Sequence, residues 1–150
     1  MQMGQKLKLF LSVLAGIVAG SLINTLLIEV GNKLITAPAG LDFTKEGDWG
    51  KAVQLSLLEP RHFVFPFLAH ALGTFAGAYL ATLLSPQEKI RMAFIVGGFF
   101  LTGGIIASII IPAPGWFIVT DLLFAYIPMA YIAGRVYLKS ISKTHKTKTT

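Results

Sequence analysis

Cysteine is absent from this 150-residue chain. Its absence removes disulfides, thiolate metal sites, c-type haem attachment and cysteine nucleophiles, and leaves the redox compartment unread. Charge is scarce too: Asp, Glu, Lys and Arg make up 13% of the residues, against roughly 25% in an average soluble domain. A soluble protein of this size needs charge on its outward faces, and long stretches here have almost none. No Gly-x-Ser-x-Gly setting, His-Glu-x-x-His pair, phosphate loop or dinucleotide fingerprint occurs. A single histidine, His70, falls inside an apolar run, so no catalytic triad can be assembled. The chain therefore reads as non-enzymatic, with no cofactor and no metal. Its net charge of +6 lies outside the apolar runs and lacks the aromatic interleaving of a nucleic-acid surface. Nucleic acid is not expected as a partner.

Hydrophobic residues, in contrast, make up 54% of the chain. Four runs, 9–30, 63–84, 92–111 and 116–138, each reach the roughly 20 residues that a helix needs to cross a bilayer core. The expectation is all-α: a polytopic integral membrane protein, one membrane domain over 1–150, built as a four-helix bundle. The first run has signal-peptide features, with Lys6 and Lys8 before it and Ala37-Pro38-Ala39 after it. It is longer than the roughly 7–15 residues of a signal core, and Asn32 and Lys33 separate it from that tripeptide. It reads as a retained helix.

Basic residues set the expected orientation. Lys6, Lys8, Lys89, Arg91, Arg135, Lys139, Lys143, Lys146 and Lys148 fall on one side if both termini are cytoplasmic. In the 31–62 loop, Lys33, Lys45, Lys51 and Arg61 are balanced by Asp42, Glu46, Asp48 and Glu59. An even number of spans requires the same N-in, C-in arrangement, in a multi-pass protein of the cell (inner) membrane.

The linkers are short apart from that external loop. Ser85-Pro86-Gln87-Glu88 reads as a tight turn with Pro86 starting the next helix, and Pro112 and Pro114 bracket another. Within the long loop, Asp48 is placed to cap a short amphipathic helix carrying Trp49, Ala52, Val53 and Leu57 near one face. Such a helix belongs at the outer interface; a loosely ordered loop is the alternative. The basic tail 139–150 is expected to be disordered, serving as a topology anchor or touching anionic lipid. Pro128 should kink the fourth helix by freeing the Phe124 carbonyl, and Arg135 should reach the headgroups.

Small residues mark the packing faces. Gly16 and Gly20 form a GxxxG pair, and Ala69, Gly73, Gly77 and Ala81 form a ladder. Gly103 and Gly104 extend the theme to the third helix, among Gly97, Gly98, Ala107 and Ser108, and Ala130 and Gly134 carry it to the fourth. Within one chain or between copies, these ridges permit close backbone approach. A homo-oligomer or a larger membrane protein is the expected partner, besides lipid.

Three polar residues arrive at one depth. At 1.5 Å of rise per residue, Asn24, His70 and Asp121 each lie roughly 7–11 Å inside the outer boundary. Each shares a helical face with small residues, so the three are expected to cluster. Glu29, Arg61 and His62 would stand at the mouth as a vestibule. A carboxylate at this depth costs about 2.5–3.5 kcal/mol on insertion scales, so Asp121 needs a partner, and His70 is the best one present. The cluster admits three uses: helix-to-helix hydrogen bonding, proton or cation handling, or a metal site recruiting His62 or Glu29. Thr74, Thr102 and Ser108 should bond to their own helix carbonyls.

The segment His62-Phe63-Val64-Phe65-Pro66-Phe67-Leu68-Ala69-His70-Ala71-Leu72-Gly73-Thr74 resembles a group of small bacterial inner-membrane proteins with four helices and no assigned activity. The resemblance is carried by helix 2, the rest matching by hydropathy. It implies a bacterial cytoplasmic membrane and says nothing of substrate. The glycines of helices 1 and 3 lack the signatures of small fluoride channels and small multidrug transporters. The functional expectation is an oligomeric channel or transporter for protons, ions or a small solute, with an accessory or assembly subunit as the alternative and an intramembrane enzyme or cofactor binder ranked last.

Overall fold

The computed structural model describes residues 3–45 and 47–147, with side chains as far as residue 142. Glu46 and Lys148, which entered the charge reading, lie outside the described residues, as do the side chains of Lys143 and Lys146. The elements are α1 (Met3–Leu34), α2 (Asp48–Gln54), a 3-10 turn (Pro60–Phe63), α3 (Val64–Leu84), α4 (Lys89–Ile110), α5 (Gly115–Phe124) and α6 (Ile127–Thr147). Among the described residues, four spans are long and apolar enough to cross a membrane: Met3–Leu34, Pro60–Leu84, Lys89–Ile110 and Gly115–Ser142. The last of these joins α5 to α6.

Several boundaries differ from expectation, each for a local reason. α1 continues to Leu34 and takes Asn32 and Lys33 into its last turns, because Gly31 is buried under the Phe65 side chain. The segment 139–147, expected to be disordered, is helical, since no glycine or proline interrupts the ladder after Gly134. Pro86 does not start α4; Glu88, at φ 54°, turns the chain and α4 begins at Lys89. Nor does Asp48 cap α2. Gly47 holds that position at φ 84°, a left-handed conformation free of Cβ strain only in glycine.

The Asp48 carboxylate instead pins the loop, accepting from Asp42 N–H (3.1 Å) and Lys51 Nζ (2.9 Å). The Lys51 ammonium and that N–H hold the Asp48 carboxyl below its usual range. The Thr44 hydroxyl and backbone N–H do the same for Asp42. These ties are complete above the ordinary carboxylate range and weaken as pH falls through the lowered values. Trp49 packs edge-on against Phe43 and Phe63 and donates its indole N–H to Pro112 O at 3.0 Å, joining this loop to the α4–α5 turn.

α1 and α3 cross on glycine. A Cβ at Gly16 would stand 2.5 Å from Gly77 O, and one at Gly20 2.6 Å from Gly73 O. Pairs 16/77 and 20/73 run in opposite senses, as an antiparallel crossing requires. Lipid supplies no hydrophobic drive between helices, so this backbone contact gives the van der Waals gain that holds them. Ala78, Ala81, Ala93, Val96, Ala130 and Ala133 are fully buried beside the seam. They join α3, α4 and α6 into a solid core at the end of the bundle that carries the termini. Bulky residues such as Leu22, Leu26, Ile109, Ile110 and Leu123 are displayed on the outside.

The expected kink near Pro128 is a full break at Ala125–Tyr126. Pro128 has no N–H for the Phe124 carbonyl, and the helix restarts with Ala130 N–H bonded to Tyr126 O at 2.9 Å. That break shapes the site.

Candidate functional site

His70 on α3 meets Asp121 on α5, its Nδ1 lying 2.9 and 2.8 Å from the two carboxylate oxygens. Tyr126, in the break, donates its hydroxyl to Asp121 Oδ2 at 2.8 Å. Residues five apart on an unbroken helix point about 140° away from each other, so only the interruption lets Tyr126 turn back onto Asp121. The Tyr126 ring stacks near His70, centroids 5.7 Å apart, and lies in a slot left by Gly104, where a Cβ would fall on its hydroxyl and 2.5 Å from Cζ. Asp121 and Tyr126 are 5% and 2% exposed. A carboxylate only accepts, so His70 Nδ1 carries hydrogen toward it. Nε2 remains as the position where His70 gains or gives a proton.

The His70–Asp121 pair lines a cavity of about 330 Å³ in the half of the bundle nearest the long loop. Phe43, Trp49, Phe65 and Phe117 supply aromatic wall, and the ends of α1 and α4 contribute Asn32 and Ser108. Phe100 of α4 reaches Gly20 of α1, and the cavity lies on the loop side of that contact. His62 is 4% exposed and also lines it.

Other residues expected at the site stand elsewhere. Asn24 lies on the α1–α3 seam against Gly73, away from the cavity lining, and makes no side-chain hydrogen bond to a described residue. Glu29 is exposed and outside the lining. Arg61 is exposed and paired with Glu59, Nε to Oε2 3.0 Å. His62 alone of the expected vestibule faces the cavity. Among the described residues, no three His, Cys, Asp or Glu side chains converge as a metal site would need.

Gly103 faces open space, unlike Gly104, and so makes no packing contact with the described residues. Thr102 and Ser108 bond back to Gly98 O and Ile105 O as expected, whereas Thr74 Oγ1 is buried with no partner among the described residues. Tyr126, which the sequence leaves open either to reach a partner or to fill space, takes Asp121 as its partner because of the break.

The two adjacent glycines provide a test. Gly104→Ala is expected to displace Tyr126 and cost about 1–3 kcal/mol, read as a lower melting temperature by circular dichroism in detergent. Gly103→Ala, with nothing within 4 Å, should be near neutral. Equal melting temperatures would mean that Tyr126 does not occupy the Gly104 slot. No family model, curated protein or solved structure matches the chain, so the chemistry of the site rests on its geometry.

Proposed function

We propose that this chain is a multi-pass protein of the bacterial cytoplasmic membrane that moves a proton or a small protonatable solute, admitted from the external side. Both termini are cytoplasmic in this reading, with α2 at the external surface beside the cavity mouth. The observation that carries it is the His70–Asp121–Tyr126 group lining a cavity confined to one half of the bundle. An intramembrane carboxylate held by a histidine is suited to proton relay. The solid core at the other end favours a carrier that alternates its openings over a permanent pore.

Cysteines at Asp48 and Ser142 should label from opposite sides of the membrane with an impermeant reagent. In proteoliposomes, an imposed pH gradient should drive a flux that empty vesicles lack. Labelling of both positions from outside would overturn the orientation. No flux would overturn transport and leave the accessory-subunit reading. That second reading draws support from Gly98, which leaves open space on α4 where another helix would pack closely.

A further inference from the structure

We propose that the cavity binds a flat, largely apolar ring with an acceptor oxygen at each end, of the quinone class, suspended between His62 and His70. This goes beyond the preceding reading, since a quinone that gains no electrons takes up no proton itself, and rests on it only for the proton at His70. The first support comes from the 3-10 turn. His62 Nδ1 lies 2.9 Å from Glu59 N and 3.1 Å from Glu59 O; the backbone N–H hydrogen is fixed and aimed at it, so we assign Nδ1 as the acceptor and the hydrogen of the neutral ring to Nε2. That Nε2 is buried and has no partner among the described residues. A buried donor left unpaired costs about 1–3 kcal/mol, and an acceptor in the cavity removes that cost.

His70 faces the deeper part of the same cavity. With Nδ1 committed to Asp121, its Nε2 is the second polar atom offered to a ligand. Protonation, supported by the Asp121 carboxylate, makes it a donor as well. His62 and His70 are eight residues apart on continuous helical turns, about 12 Å along the axis. One carboxylate cannot reach both. A six-membered ring with opposed carbonyls, extended by a hydrogen bond of about 2.8 Å at each end, covers a span of that order. The walls between them are apolar and aromatic: Phe43, Trp49, Phe65, Phe117, Ile118 and Leu122. Such rings favour offset or edge-on contact with a flat ligand. The volume of about 330 Å³ falls within the roughly 300–1,000 Å³ range of small-molecule sites. Only binding and proton placement are invoked, with no electron transfer.

The test compares duroquinone with durene, the same tetramethylated ring without oxygens, using the full chain in lipid nanodiscs. Duroquinone should raise the melting temperature and durene should not. His62→Asn keeps an acceptor for Glu59 N–H but removes the far N–H. It should weaken duroquinone binding roughly three- to tenfold while leaving the unliganded melting temperature near that of the parent. In the parent labelled with ¹⁵N-histidine, the His62 Nε2 resonance should shift with duroquinone and stay put with durene. Equal effects of the two compounds would overturn the proposal, as would an unmoved Nε2 resonance, which also decides the matter should His62→Asn fail to fold. Octanoate binding with the same dependence on His62, and no duroquinone preference, would replace the two-ended ring by a lipophilic acid. Duroquinone binding without any flux would leave this inference standing and remove the transport reading alone. Flux without duroquinone preference would do the reverse.

Discussion

Replacing Gly77 by leucine is expected to separate α1 from α3 and leave little folded protein after detergent extraction. A Cβ at Gly77 would stand 2.5 Å from Gly16 O, 3.3 Å from Gly16 C and 3.3 Å from Gly20 Cα. All three are backbone atoms, so no rotamer change relieves the clash and the helices must move apart. Overpacking alone typically costs about 1–3 kcal/mol. Here the contacts at Gly20 and Gly73 on the same seam are forfeited too, and lipid offers no hydrophobic compensation. Leu80→Ala, at a partly exposed position of the same helix, should be much milder. Size-exclusion profiles and thermal melts compare them; two variants of equal stability would show that the seam is not a helix–helix contact.

Asp121→Asn should reduce proton-driven flux by about a hundredfold or more with the fold retained. Asparagine keeps the shape and one acceptor oxygen, but it removes the charge facing His70 Nδ1 at 2.8 Å. Removing one partner of a buried ion pair costs about 3–5 kcal/mol, and here that cost falls on the protonated form of His70. A cost of that size corresponds to about a hundredfold or more in the relay. His70→Ala should act in the same direction, and the double variant should be no worse than either single one, because residues acting as a unit are non-additive. Unchanged flux with lowered stability would make the pair a helix tie and nothing more.

The four spans were legible because length and apolarity alone decide them, and the small-residue faces of α1 and α3 because a four-residue spacing marks one face; that Gly16 meets Gly77 and Gly20 meets Gly73 within one chain was not, since spacing does not name a partner. Depth brought His70 and Asp121 together correctly and Asn24 wrongly. Rise per residue fixes height, but α3 has two working faces at that height. Gly73 and Gly77 turn to α1 and take Asn24 with them, while His70 turns to α5. Gly103 and Gly104 differ for a related reason: neighbours on a helix point about 100° apart, and only one meets Tyr126. The Tyr126–Asp121 bond was hidden because it needs the helix to be broken, and Pro128 announces a break without showing which way the chain leaves it. The His62 cap likewise depends on a 3-10 turn that hydropathy does not register.

At 32 residues, α1 is about 48 Å long, well beyond the roughly 30 Å hydrocarbon core of a bilayer. A helix of that length accommodates by leaning or by carrying its ends out of the hydrocarbon. Gly16, Gly20 and Gly31 hold it against Gly77, Gly73 and Phe65 of α3, so a lean of α1 carries α3, and His70 with it, relative to Asp121 on α5. Reconstitution into lipids of graded chain length tests whether such a lean changes the His70–Asp121 contact.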